Sequence, residues 1–228
     1  AQPLQRAGAF KSRGACNADW ALEAEQAGRG VVTHSSGNHG AALALAAKTR
    51  GIPCHVVVPE GANAAKLANI ARYGATLHSC APTIAARESL AAEVQQRTGA
   101  TLIHPYTHHD VIAGQGTAAL ELLNANGPLS ALFTPVGGGG LISGTAITAA
   151  AVAPGCRVFG AEPEGAADTA RSLAAGERQV DFIPDTVCDG LRGTLGEPNF
   201  QILRAHRVDV FTVSDADTLS AMRWLWQC

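Results

Sequence analysis

With 228 residues and a formal net charge of −2, the chain is long enough to bury a substantial core and has no basic run with which to hold nucleic acid. Hydrophobic residues make up 46% and charged residues 16%, a globular rather than a disordered balance. No segment approaches the roughly 20 apolar residues of a membrane span; the most apolar helical stretch, Leu141 to Ala153, is short and carries Ser and Thr. The cysteines Cys16, Cys54, Cys80, Cys156, Cys188 and Cys228 are scattered without a CxxC pair, which reads as a reduced, cytoplasmic protein. The chain begins with Ala rather than Met, so a native N-terminus further upstream is expected.

Short β-branched runs alternate with Ala/Leu-rich stretches. Lys11 opens a helix. Val31-Val32-Thr33 predicts a strand, followed by a loop of small residues and a helix over Ala41 to Arg50 that Gly51-Ile52-Pro53 stops. His55 to Val58 predicts the next strand, Ala64 to Tyr73 a helix ending at Gly74, and Thr76 to Ser79 a strand. Thr83 to Arg97 predicts a helix ended by Gly99, and Thr101 to His104 a strand. Ala113 to Leu123 is helical; Leu132 to Val136 is a strand running into Gly137-Gly138-Gly139-Gly140; Leu141 to Val152 is a helix and Arg157 to Ala161 a strand. Such alternation predicts an α/β fold with mainly parallel sheet.

Three segments carry chemistry. Ser35-Ser36-Gly37-Asn38-His39-Gly40 lies between a strand and a helix, where unpaired N–H groups and the helix dipole favour an anion; the same residues would also serve as a helix cap. Four consecutive glycines, Gly137 to Gly140, cost entropy unless something demands bare backbone, and a phosphate at the following helix N-terminus does. A flexible turn is the bland alternative. The loop lacks the Gly-Lys-Ser/Thr of a Walker A motif and is not a dinucleotide fingerprint, which disfavours ATP hydrolysis and NAD chemistry. In Ala9-Phe10-Lys11-Ser12-Arg13-Gly14, a lysine with apolar flanks meets the unfavourable end of a helix dipole, which suits an amine nucleophile of lowered pKa; a lone lysine is otherwise most often a solvated surface group.

Together these segments resemble the fold-type II pyridoxal-phosphate (PLP) enzymes, within them the serine racemase and serine/threonine dehydratase branch. That branch carries Ser-Phe-Lys-x-Arg-Gly-Ala, here Ala9-Phe10-Lys11-Ser12-Arg13-Gly14-Ala15. It also carries Ser-Ser/Ala-Gly-Asn-His, here Ser35 to His39, and a tetraglycine followed by an apolar residue, here Gly137 to Leu141. A further shared stretch is Val111-Ile112-Ala113-Gly114-Gln115-Gly116-Thr117. The likeness runs through essentially the whole chain in order. It implies an α/β fold of two open, mainly parallel twisted sheets flanked by helices, tryptophan synthase beta-like and incomplete at both ends. Residues 30–104 would form a small domain, and residues 1–29 with 105–228 a discontinuous, PLP-binding large one.

The resemblance also implies roles. Lys11 would bond the cofactor and move protons at the substrate Cα, with Phe10 packed beside it. Asn38 would hydrogen-bond the PLP 3′-oxygen, Gly137, Gly138, Gly139, Gly140 and Leu141 would hold the 5′-phosphate, and Gly190 would lie by the cofactor ring. Ser35, Ser36, Gly37, Asn38 and His39 would bind the substrate. Ser36 is the residue that racemases carry opposite the lysine, so Lys11 and Ser36 form an expected two-sided proton pair; as a bland alternative Ser36 is one more loop hydroxyl. In Glu162-Pro163-Glu164-Gly165-Ala166-Ala167-Asp168, Glu162, Ala166 and Asp168 match a Mg²⁺ or Ca²⁺ site of the racemase-like members.

The implied activity is PLP-dependent dehydration and deamination of L-serine or L-threonine to a 2-oxo acid and ammonia. A serine or hydroxyaspartate racemase of the same family is the alternative, and a non-catalytic PLP- or anion-binding fragment a third. The expected partners are a small hydroxy amino acid and, as is common in the family, a second copy in a homodimer. The family's first strands lie upstream of Ala1, and its Glu-Pro-x-x-Gly-like segment lies beyond Trp224-Leu225-Trp226-Gln227-Cys228, so the chain is expected to be a piece of a longer protein.

Overall fold

The structure, a computed structural model, describes residues 2–227; Cys228 lies outside them. In chain order it contains α1 (Lys11–Trp20), α2 (Ala24–Arg29), β1 (Val31–Thr33), α3 (Asn38–Arg50), β2 (Cys54–Pro59), α4 (Ala64–Ala71), β3 (Thr76–Cys80), α5 (Ile84–Thr98), β4 (Thr101–Leu102) and α6 (His109–Asn126). Then come β5 (Ala131–Pro135), α7 (Gly140–Val152), β6 (Arg157–Pro163), α8 (Asp168–Ala175), α9 (Glu197–Ala205), β7 (Asp209–Val213) and α10 (Asp215–Gln227). The strands form two sheets in which every pairing is parallel, flanked by helices as expected. The chain divides into two compact units, Ala1–Gln115 and Gly116–Cys228. Among the described residues no helix is long and apolar enough to cross a membrane, and Cys16, Cys54, Cys80, Cys156 and Cys188 are free thiols.

The first sheet has the order β3-β2-β1-β4. It is covered on both sides, which is why its strands read as near-continuous apolar runs. Val31, Val56 and Val58 pack with the alanine-rich α3 and with Ile70 of α4, while Val32, Val57 and Cys80 pack with Ala91 and Val94 of α5. Each such side chain contributes roughly 1.5–3 kcal/mol on burial. The chain winds outward from β1 to β3 and then returns to the other side of β1 with β4. That reversal puts the loops after β1 and β4 at a topological switch point, where open parallel sheets hold ligands.

Boundaries shifted for identifiable reasons. The strand expected to reach His104 ends at Leu102: Ile103 N still donates to Val32 O at 2.8 Å, but His104 Nδ1 then accepts the N–H groups of Tyr106 and Thr107 and turns the chain away. The helix expected over Ala113 to Leu123 extends to His109–Asn126, with Asp110 in its first turn. The helix expected to run to Tyr73 stops at Ala71, and Gly74 takes a left-handed φ of 84° in the turn that follows. Thr83 is the N-cap of α5, its Oγ1 accepting from Ala86 N at 3.1 Å.

The second sheet has the order β5-β6-β7. On one face Val136, Ile142, Ala146, Leu195, Phe200, Leu203 and Val208 form the core with α7 and α9. On the opposite face Phe133, Phe159 and Phe211 stack in a ladder with ring centroids 5.0 and 5.7 Å apart.

Candidate active site

In the first unit the site grows from the N-terminus of α1. Phe10 is its N-cap and Lys11 its first residue. The lysine side chain is partly buried and donates from Nζ to the carbonyl oxygen of Pro105 at 2.8 Å. The same nitrogen lies 5.4 Å from the Phe10 ring centroid and 6.0 Å from that of Tyr106, distances at which ring faces attract a cation. Desolvation nevertheless dominates and pulls the amine down to about 8 from an ordinary 10.5.

Around this amine stands a group of neutral imidazoles. His39, buried in the first turn of α3, faces Ile103 O from Nε2 at 3.3 Å, and its Nδ1 has no hydrogen-bond partner. Burial, then the charge of Lys11, hold it well below the usual histidine range. His104 is lowered to about 4, by burial first and then by His34, Lys11 and His108. Its ring packs edge-on against both His34 and Tyr106, with centroids 4.9 and 4.6 Å apart. Burial lowers His34 as well. With these rings uncharged, the lysine is the principal positive group of the pocket.

The loop Ser35–Gly37 enters α3, with Gly37 as its N-cap and Asn38 and His39 inside the first turn. Ser35 Oγ accepts from Gly37 N at 3.4 Å. Ser35, Ser36 and Gly37 are partly buried and Asn38 is exposed. A side chain at Gly40 would run into the Ser35 carbonyl, so the loop can fold this tightly onto the helix only with glycine there. Lys11 itself is held by the close approach of α1 to α6: the Gln115 side chain is wholly buried and accepts from Gly14 N at 3.2 Å through Oε1.

In the second unit Gly137 to Gly139 join β5 to α7, and Gly140 begins the helix. Gly139 is the N-cap with φ 95°, a left-handed conformation that side chains strain to adopt. A Cβ there would sit 2.8 Å from both Asn199 Cβ and Leu195 Cδ1, and one on Gly137 would lie 3.2 Å from Leu191 Cα and 3.5 Å from Gly190 O. The Gly138 carbonyl accepts from Gly196 N at 3.2 Å. The loop is therefore a braced cradle rather than a flexible turn, with the first-turn N–H groups of α7 unpaired within the helix. Gly190, placed beside the ring by the resemblance, lies in a short 3-10 turn, Asp189–Leu191, against this cradle.

The acidic segment also folds into a specific arrangement. Glu162, 1% exposed at the end of β6, accepts from Ala170 N at 2.6 Å and Thr169 N at 3.3 Å, capping α8 with its carboxylate. Asp168, also 1% exposed, begins that helix and accepts from Leu195 N at 2.7 Å. Ala166 is buried in the turn between them. Burial raises Glu162 to about 7, with the neighbouring Asp168 adding to the rise, and burial raises Asp168 too. Two buried carboxylates have the oxygen-donor chemistry that suits a hard divalent cation.

Pro105, Tyr106 and His104 did not emerge from the sequence as site residues. The signal was there in His104-Pro105-Tyr106 directly after a strand, but only the sheet order brings that loop to Lys11.

Both units are of the parallel α/β class: the first holds a buried amine at its sheet's switch point, and the second a braced glycine loop between its first strand and the helix that follows. Residues 2–228 match the family described as pyridoxal-phosphate dependent enzymes, and the chain belongs to that family. It is 47% identical over 224 residues to a serine racemase of Arabidopsis thaliana, covering 98% of this chain and 68% of that protein. It is 46% identical to a beta-hydroxyaspartate dehydratase of Paracoccus denitrificans, covering 98% and 71%. Among solved structures it superposes on maize serine racemase with a TM-score of 0.95 at 46% identity, covering 98% of this chain and 68% of that one.

Proposed function

We propose that the protein of which this chain is part removes ammonia from a small hydroxy amino acid with PLP as cofactor, Lys11 being the residue that bonds it. The observation that carries this reading is the Lys11 amine, brought down to about 8 by burial and hydrogen-bonded to the Pro105 carbonyl. A bound PLP supplies an electron sink for charge developing at the substrate Cα. Lys11, with a substantial neutral fraction near pH 8, accepts the Cα proton. Phe10 gives that amine an apolar flank. The N–H groups at the start of α3, with Ser35, Ser36, Gly37, Asn38 and the buried His39, receive the substrate carboxylate. Gly137 to Gly140 and Leu141 hold the phosphate, with Gly190 against them. Net, the hydroxy amino acid becomes a 2-oxo acid and ammonia: one water leaves with the β-hydroxyl and one is consumed in hydrolysis.

Relatives named both hydroxyaspartate ammonia-lyase and serine racemase support lyase and racemase readings together. Ser36 favours keeping the second: its hydroxyl, partly buried at the mouth of α3, is the proton donor that inversion at Cα requires besides Lys11. Glu162, Asp168 and the Ala166 carbonyl form the proposed Mg²⁺ or Ca²⁺ site. A homodimer, and a small domain over residues 30–104, belong to the same proposal; what supports the latter is that β1–β4 all fall between Val31 and Leu102.

The test is Lys11→Ala in the PLP-loaded protein, read by visible absorbance, 2-oxo acid release and chiral amino-acid analysis. Loss of the lysine-bound absorbance band with a fall in turnover of at least about 10³-fold is expected. Survival of both would remove the assignment.

A further inference from the structure

Past Tyr106 the chain carries three potential metal ligands in succession, His108, His109 and Asp110. None is used by the lysine pocket as a ligand-binding group, and none belongs to the acidic pair of the second unit. Their donor atoms, two imidazole nitrogens and one carboxylate oxygen, all lie within 4.8 Å of one another. His109 Nε2 is 3.1 Å from Asp110 Oδ2 and His108 Nδ1 is 3.9 Å from the same oxygen, while the two rings stack with centroids 4.8 Å apart and 15° between planes.

From this geometry we infer a binding site for a zinc-class divalent transition metal, held by His108 Nδ1, His109 Nε2 and Asp110 Oδ2, with water completing the shell. A tetrahedral ion with bonds near 2.0–2.1 Å puts its donors about 3.3 Å apart. The His109–Asp110 edge already has that spacing, and His109, whose side chain is 85% exposed, is free to swing toward the His108 nitrogen. His108 Nδ1 accepts the backbone N–H of Asp110 at 3.3 Å, so this nitrogen is unprotonated, and coordination would exchange that long hydrogen bond for the metal. Asp110 is partly buried, and its carbonyl accepts from Asn17 Nδ2 at 2.8 Å, which ties this turn to α1.

The donor set decides the class of ion. Two imidazoles and one carboxylate suit Zn²⁺, Co²⁺, Ni²⁺ or Cu²⁺, whereas Mg²⁺ and Ca²⁺ prefer all-oxygen sites such as the one proposed at Glu162 and Asp168. The N-terminus of α6 works against a cation by a fraction of the energy of one ligand bond, and Asp110 in that first turn offsets it. With only three protein ligands and one ring in solvent, the site is open and exchangeable rather than structural.

The experiment is calorimetric titration of the PLP-loaded protein with ZnCl₂ in excess Mg²⁺, which occupies oxygen-only sites, with Co²⁺ as a visible-absorbance probe of nitrogen ligation. One equivalent of Zn²⁺ is expected, with its affinity falling about tenfold or more in His109→Ala and in Asp110→Asn. His55→Ala should leave it unchanged, although His55 Nδ1 and His78 Nε2 form another imidazole pair at 3.2 Å. His109 is exposed, so its variant keeps the fold. Wild-type Zn²⁺ affinity in His109→Ala, loss of binding in His55→Ala, or no Zn²⁺ uptake by the parent protein would each overturn the assignment.

Discussion

Lys11 Nζ donates a hydrogen bond to the carbonyl of Pro105, 94 residues further along the chain, at 2.8 Å. A carbonyl stabilises the protonated amine only partly, and burial wins, so the amine titrates near 8 instead of 10.5. Since the neutral amine is the nucleophile, PLP uptake by the cofactor-free chain, followed by visible absorbance, should accelerate as pH rises and reach half its plateau near pH 8. A midpoint near 10.5 would mean a solvated lysine and would sink the buried-amine reading.

The glycine cradle separates fold from function at two positions. Gly139→Ala forces a side chain into φ 95° and within 2.8 Å of Asn199 and Leu195. It should destabilise the chain by about 1–3 kcal/mol, measurable in urea, besides weakening cofactor binding. Gly190→Ala meets nothing within 4 Å, so stability should hold and any loss should appear in PLP affinity alone. Equal destabilisation by both would show that the loop around Gly190 is packed more tightly than its geometry indicates.

Much of this arrangement was legible in the residues, for a physical reason. A lysine between apolar flanks and four bare backbone positions between a strand and a helix are local features, written within ten residues of sequence. The groups around Lys11 are not: Pro105, His104 and Tyr106 arrive through the placement of β4 beside β1, and Gln115 reaches Gly14 over 101 residues. The sequence pattern predicts no elements beyond Ala161, yet the stretch entering β7 carries a readable alternation in Val208 and Val210, which face the core, against Asp209 and Phe211. The helices α8 and α9 are short and owe their order to packing and to caps such as Glu162, which lies six residues before the helix it caps.

Ser36 supplies a prediction that splits two activities. If its hydroxyl protonates the Cα face opposite Lys11, Ser36→Ala should reduce racemisation of serine by roughly 10²–10⁴-fold while 2-oxo acid release falls far less. The measurement is a chiral assay beside an oxo-acid assay on one preparation. A parallel fall in both rates would make Ser36 a binding group shared by the two reactions and not the second proton carrier.

Glu162 links metal, pH and stability. Burial, and then Asp168, raise its carboxyl to about 7 in the fold against an ordinary 4.5, despite the opposing hydrogen bonds from Ala170 and Thr169. Between those pH values the folded chain holds more protons than the unfolded one, so metal-free stability falls as pH rises from about 4.5 to about 7 and is lowest above it. A divalent cation binds the ionised carboxylate, so the melting temperature gained on adding Mg²⁺ or Ca²⁺ should grow across the same interval. Each kcal/mol should appear as about 2–4 °C. In Glu162→Gln the group no longer titrates: the metal-free protein should lose this part of its pH dependence, and the cation should add little at any pH. A cation-induced shift in Glu162→Gln as large as in the parent protein would place the ion elsewhere.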